Sequence, residues 1–220
     1  MANRERIITE DGSHSYYMCD LGESYHSVHG AIRESRHVFI DSGLKLLGGR
    51  KEINILEMGF GTGLNALLSM IFSIDHKVTV NYETVELYPL DIEEARDLNY
   101  PDALNFPRKD FLLLHQSGWG KTTEIIRGFN FLKIKDDIST YAPVNQYDLV
   151  FFDAFSSDAQ SHLWEKTIFM RLFEAMNYGG ILTTYSAKGS LRRILLDIGF
   201  KVEKIPGPPG KRHITRAKKV

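Results

Sequence analysis

The sequence predicts an α/β fold: one doubly wound, mostly parallel sheet with helices on both faces. Three observations carry this. From residue 53 onward, short apolar strand candidates alternate with helical ones. The first of them, residues 53–58, runs into three glycines spaced two apart, Gly59, Gly61 and Gly63, and a helical run follows. Acids then stand just after later strand candidates, at Glu86, Asp137 and Asp153. In such sheets ligands bind outside the carboxyl ends of the strands, where strand order reverses. The glycine turn and the three acids are therefore expected to share one crevice.

Residues 7–18 alternate around Asp11-Gly12, which predicts a hairpin. Residues 30–47 place Ile32, Arg36, Phe39 and Ile40 at helical spacing, with Gly43 interrupting. The rhythm then runs strand 53–58, helix 64–73, strand 78–85 and helix 91–98. The stretch after Pro101, with Pro107, Gly118 and Gly120, fits neither period. Strands are expected at 129–134 and at 147–152, "YDLVFF", which ends on Asp153. A helix over 168–176 should stop at Asn177-Tyr178-Gly179-Gly180, before a strand at 181–186 and a helix at 191–196. The segment after Phe200 should supply two antiparallel strands around "PGPPG". The expected organisation is a small hairpin and helix extension, residues 1–48, closing the site of an α/β domain, residues 49–220, as one compact unit.

Composition narrows the class. With 43% hydrophobic and 25% charged residues, the 220-residue chain reads as one globular domain with a substantial core. No apolar run reaches the length of a membrane span, and the N-terminus lacks the apolar segment of a secretory signal. Cys19 is the only cysteine, so no intrachain disulfide forms, which fits a reducing cytoplasm. Net charge is −1, yet the last twenty residues carry seven Lys or Arg against one acid, Glu203. Lys188, Arg192 and Arg193 lie just upstream. From charge alone this is either a solubilising tail or a phosphate-binding patch.

The glycine turn discriminates among nucleotide sites. A dinucleotide fingerprint needs glycine where this chain has Leu64, and a P-loop needs a lysine that is absent. The pattern present is E-x-G-x-G-x-G, led by Glu57. It is similar to the first motif of Rossmann-like methyltransferases that use S-adenosylmethionine (SAM). Glu86, 23 residues beyond Gly63, ends the second strand, where a carboxylate can accept both ribose hydroxyls. Asp137 and Ile138 follow the third strand, where an acid and its neighbour meet adenine in such enzymes; adjacent Asp136 competes for that role.

Residues 23–39, "ESYHSVHGAIRESRHVF", the turn "GFGTGLN", and residues 147–213 with Asp153-Ala154-Phe155, Trp164 and Arg192-Arg193 together resemble one family. It is the methyltransferase domain of the bifunctional tRNA-modifying enzyme MnmC and its stand-alone form, MnmD. The resemblance covers about residues 9–216 and implies a Rossmann-like, class I SAM-dependent methyltransferase fold. It implies methylation of 5-aminomethyl-2-thiouridine to 5-methylaminomethyl-2-thiouridine at the wobble position of the tRNA anticodon loop. The fused FAD domain of the two-domain relatives has no counterpart in this sequence, so no oxidation is expected. Two departures stand out: alanine replaces the family's usual glycine at Ala154, and "SSDAQSHLW" has no proline.

The resemblance implies cofactor contacts from Glu57, Gly59, Gly61, Gly63, Asn65, Glu86, Asp137 and Ile138, with Tyr25 and Glu34 closing the pocket. Asp153 is the expected catalytic carboxylate, because a protonated alkylamine must lose its proton before it attacks a methyl group. Phe155 is expected to stack on the uracil. Lys188, Arg192, Arg193, Lys211 and Arg212 are the expected phosphate contacts. His26 and His29, with His14 and Cys19, are too loosely spaced for a metal site. Two other readings remain: a SAM-dependent or aminopropyltransferase-like enzyme acting on a small amine, and an RNA-binding module with a decayed cofactor site.

Overall fold

The structure is a computed structural model and describes residues 3–220. The chain opens with a small antiparallel sheet: β1 (Arg4–Ile8), β2 (His14–Met18) and β3 (Glu23–Ser24). β1 and β2 pair from Arg4↔Met18 to Ile8↔His14, the hairpin expected around Asp11-Gly12. The helical stretch after it is short and uneven. One α turn, α1 (Ala31–Ser35), passes into a π-helical turn, Arg36–Asp41, and a 3-10 turn, Leu44–Leu47.

The alternating units follow: β4 (Glu52–Met58), α2 (Leu64–His76), β5 (Thr79–Val85) and α3 (Ile92–Arg96). The stretch that fits neither period holds two helices, α4 (Tyr100–Ala103) and α5 (Arg108–Gln116), and an edge strand, β6 (Thr123–Ile126). Then come β7 (Phe129–Ile134), β8 (Tyr147–Phe152), α6 (Lys166–Ala175) and β9 (Met176–Thr184). α7 (Gly189–Ile198) and the antiparallel pair β10 (Phe200–Pro206) and β11 (His213–Lys219) complete the chain.

Eight strands form one sheet in the order β10-β11-β9-β8-β4-β5-β7-β6. The five from β9 to β7 are parallel, β6 and β11 run antiparallel to them, and β10 pairs antiparallel with β11 at the far edge. The chain builds outward from β4 to β5 and β7, then returns to place β8 on the other side of β4. Strand order thus reverses between β4 and β8.

Side-chain parity divides the core. Ile53, Ile55, Val80, Tyr82, Phe129, Phe131 and Phe151 pack toward α2 and α5. Leu56, Met58, Val85, Val150 and Phe152 pack toward α6 and α7. Every residue of β8 is buried, as expected for a central strand covered on both faces.

One sequence expectation is corrected. Asn177-Tyr178-Gly179-Gly180 does follow a helix end, but these residues already lie inside β9, which begins at Met176 rather than at 181. The register against β8 shifts there, and Gly179 takes φ 80°, so the glycines serve a bulge. Among the described residues no helix is long and apolar enough to cross a membrane.

Candidate active site

A cavity of about 1000 Å³ lies at the carboxyl edge of the parallel strands, where strand order reverses. β4 ends there in the glycine turn and β8 ends in Asp153. The two ends are tied together: Asp153 N–H donates to Met58 O at 3.0 Å.

Two glycines are demanded by what packs on them. At Gly59, φ 99°, a Cβ would lie 2.8 Å from the Asp153 carbonyl oxygen. At Gly61, φ 50°, a Cβ would lie 2.9 Å from the Tyr25 ring. Both are left-handed positions that a side chain adopts only with strain. The turn is also braced by acid: Gly61 N–H donates to Glu86 Oε2 at 2.9 Å, and Tyr88 N–H to Glu86 Oε1 at 2.7 Å. Asn65, in the first turn of α2, lines the cavity beside them.

Asp137 and Ile138 line the cavity, whereas Asp136 does not. Hydrogen bonds from Ser139 hold the Asp137 carboxyl below its ordinary range, the backbone one at 2.8 Å.

Asp153 accepts a hydrogen bond from Asn65 Nδ2 at 2.8 Å. Burial pushes its carboxyl up to about 7, reinforced by the negative charge of Glu34 and opposed by Asn65 and Lys211. Two residues on, Phe155 meets Tyr25 edge to face with ring centroids 5.0 Å apart. Trp164 Nε1–H donates to Phe155 O at 2.8 Å and fixes this loop.

The N-terminal and C-terminal segments supply the remaining wall. Buried Glu34 accepts Ser27 N–H at 2.7 Å and forms an ion pair with Lys211. Lys211 Nζ sits 4.1 Å from the centroid of the Tyr185 ring, a cation–π contact. Tyr185 in turn donates its hydroxyl to Ala154 O at 2.8 Å.

Three of the residues expected from sequence stand elsewhere than that reading placed them. Glu57 does not line the cavity; it is buried beneath it and accepts from Thr84 Oγ1 at 2.8 Å. Gly63 does not line it either, and caps α2 facing His115 and Phe60. Lys211, expected as a phosphate contact, lies in the cavity wall instead. Lys188, Arg192, Arg193 and Arg212 stay outside the cavity, and Lys188 pairs with Asp158 at 2.7 Å. Sequence reasoning missed Tyr185, although it follows a parallel strand just as Glu86 and Asp153 do. It also missed Glu23, whose carboxylate takes the N–H and hydroxyl of Ser156 and holds the far rim. A lone acid in a short strand carries no local signal for that.

The cavity fits SAM by its own chemistry. Two backbone positions leave no room for Cβ atoms, and strand-end carboxylates offer acceptors for hydroxyls and amines. An acidic wall suits a sulfonium cation. Sheet, turn and strand-end acids together define the class: a Rossmann-like, SAM-dependent methyltransferase.

Comparison with known proteins agrees. Residues 124–220 match the family model described as S-adenosyl-L-methionine-dependent methyltransferase. The chain is 29% identical, over 97% of its length, to the tRNA 5-methylaminomethyl-2-thiouridine biosynthesis bifunctional protein MnmC of Cupriavidus metallidurans, of which it covers 34%. It is 30% identical, over 87% of its length, to the protein of that name from Maricaulis maris, again covering 34%. It spans about a third of the length of these curated relatives. The crystal structure of MNMC2 from Aquifex aeolicus superposes with a TM-score of 0.78 at 27% identity, covering 99% of this chain and 70% of that one. The chain thus matches a SAM-dependent methyltransferase family model over residues 124–220 and is similar to MnmC over most of its own length.

Proposed function

We propose that this chain methylates the primary amine of 5-aminomethyl-2-thiouridine at the wobble position of tRNA, giving 5-methylaminomethyl-2-thiouridine. The observation that carries the reading is Asp153. Its carboxyl is raised to about 7 and shares a cavity with Phe155 that has room for a nucleoside cofactor and a splayed base. The relatives are named for biosynthesis of this nucleoside.

SAM, when bound, supplies an activated methyl group on a sulfonium. Gly59, Gly61 and Asn65 would hold its methionine part, Glu86 its ribose hydroxyls, and Asp137 with Ile138 its adenine. Asp153 orients the substrate amine and accepts its proton, so that nitrogen presents a free lone pair. A carboxyl poised near neutrality is matched to that task. Phe155 offers a π-face to the uracil, and an anticodon loop yields its base at lower cost than a duplex.

Residues 1–48 act as an extension that closes the site of the 49–220 domain through Tyr25 and Glu34. Lys188, Arg192, Arg193 and Arg212 contact phosphates outside it, and the enzyme works in the cytoplasm. The test is nucleoside mass analysis of tRNA from cells that accumulate 5-aminomethyl-2-thiouridine, after incubation with protein and SAM. A gain of one methyl is expected. No gain, with SAM binding intact, would return the search to small amines.

A further inference from the structure

The loop from β8 to α6 leaves the site through Phe155 and turns on Ser156. Ser156 O accepts the N–H groups of Ala159 at 3.1 Å and Gln160 at 2.8 Å, and the Ser156 hydroxyl accepts Asp158 N–H at 3.2 Å. Trp164 Nε1–H donates back to Phe155 O from the loop's far end. These bonds shape the loop, but all of them lie within residues 155–164. Lys188 ties its outer side, through Ser157 at 2.8 Å and Asp158 at 2.7 Å. The cavity side is held from a different part of the chain.

That part is the N-terminal extension. Glu23 Oε2 accepts Ser156 N–H at 3.1 Å, and Glu23 Oε1 accepts the Ser156 hydroxyl. Two residues on, Tyr25 meets the Phe155 ring edge to face. Side chains two apart on an extended segment share a face, and Glu23 and Tyr25 both line the cavity. One short segment thus grips two consecutive loop residues. A carboxylate suits the task because its two oxygens take two donors at once. With its hydrogen given to Glu23, the Ser156 hydroxyl keeps a lone pair for Asp158 N–H, so the start of the turn and its direction are fixed together. Hydrogen bonds to a carboxylate are also stronger than neutral ones.

We propose that Glu23 is a positioning residue for the substrate base: by holding Ser156 from β3, it sets the Phe155 ring at the side of the cavity where the uracil stacks. Glu23 touches no substrate atom. It acts through Ser156 on Phe155, and this rests on the stacking role given to Phe155 above. The extension then does more than cover the cavity. Tyr25 braces the Phe155 ring, and Glu23 braces the backbone that carries it.

The test uses the full chain with Glu23→Ala, Glu23→Gln and Ser156→Ala. The sequence holds two tryptophans, Trp119 and Trp164. Trp164 is bonded to Phe155 O, whereas Trp119 lies against Lys133 of β7. Protein labelled with fluorotryptophan gives a fluorine NMR signal from each, and Trp164→Phe assigns them. Glu23→Ala should shift or broaden the Trp164 signal and leave that of Trp119 in place. An unmoved Trp164 signal overturns the proposal. So does equal movement of both, which marks general loosening. This readout needs neither SAM nor tRNA, so a wild type that leaves tRNA unmethylated would sink the substrate assignment without touching the link from Glu23 to the loop.

Kinetics test the positioning. Glu23→Ala takes both acceptors from Ser156, and KM for tRNA should rise roughly fivefold or more, with kcat at saturating tRNA little changed. SAM affinity, by calorimetry, should hardly move, and a loss as large as that for tRNA overturns the proposal. Glu23→Gln keeps one oxygen for Ser156 N–H, and the Ser156 hydroxyl can turn to accept from the new amide. It should therefore recover most of what Glu23→Ala loses. Equal losses in the two variants overturn the proposal, because the carboxylate charge would then be acting on the substrate itself. Adding Ser156→Ala to Glu23→Ala should cost little more, and fully multiplicative losses also overturn it. Thermal melting separates these effects from misfolding. If Glu23→Ala fails to fold, Ser156→Ala stands in for it: it should raise KM for tRNA and move the Trp164 signal, and no effect on either overturns the proposal.

Discussion

Tyr25 and Phe155 stand edge to face, ring centroids 5.0 Å apart and planes at 61°. Tyr25 also covers Gly61, so one ring spans the cofactor turn and the aromatic assigned to the base. Phe155→Ala should therefore weaken substrate tRNA binding by roughly 5-fold to 100-fold, the loss of one base–aromatic stack. SAM affinity should hardly change. Calorimetry for SAM and fluorescence anisotropy for tRNA check the two separately, and equal losses in both would contradict the division of roles.

Gly61→Ala strains a left-handed residue at a cost of about 1 kcal/mol and drives a Cβ to 2.9 Å from Tyr25 Cδ1. SAM affinity should fall by roughly tenfold or more. In the Gly61→Ala, Tyr25→Ala double variant the clash is gone, so part of that loss should be regained. Strict additivity of the two substitutions would show that the ring contact is not what requires glycine.

Asp153→Asn should lower the methyl-transfer rate by roughly 10²-fold or more with SAM binding intact. In wild type the rate should fall as pH drops through about 7, where the carboxyl takes up its proton. Stability moves the other way. The folded carboxyl titrates near 7, against 3.8 for the free group, so the native state binds more protons between those values. Wild type is then most favoured at the acid end and loses stability as pH rises from about 4 through 7. Asp153→Asn should remove that decline and be more stable than wild type at pH 8, by roughly 2–4 kcal/mol at most. Melting curves at the two pH values test the sign.

The basic residues should divide into two groups. Neutralising Lys188, Arg192, Arg193 and Arg212 should weaken tRNA binding and flatten its salt dependence, because each phosphate contact releases counterions. Lys211→Met should leave the salt slope nearly unchanged. It should instead raise the acid limb of the rate profile, because Lys211 holds the Asp153 carboxyl down. A flattened salt slope from Lys211→Met would return that residue to the phosphate-binding set.

The sheet was legible because central parallel strands are apolar on both faces, and runs such as "YDLVFF" have no other use. β6 was not, since only Ile125 of its four residues is buried and an edge strand leaves little apolar pattern. The bulged start of β9 was read as a helix stop alone, because two glycines punctuate both. Within the site, strand-end position found Glu86, Asp137 and Asp153, which the cavity brings together. Position in the motif misplaced Glu57. Parity would have corrected it, since Glu57 is two residues from Ile55 and shares its buried face. Lys211 was misread because a charge count along the chain says nothing about which way a loop turns its cation.

Glu34 and Lys211 are 177 residues apart and joined side chain to side chain. On the ribosome, Glu34 is made long before its cation. The strands from β4 to β9 are all synthesised before residue 211, but until then the carboxylate bound for burial has nothing to neutralise it. A clipped or unfinished polypeptide would therefore present an over-acidic, unsealed crevice. In this fold a fragment that stops short of Lys211 lacks both that ion pair and β11, the strand that joins β10 to β9.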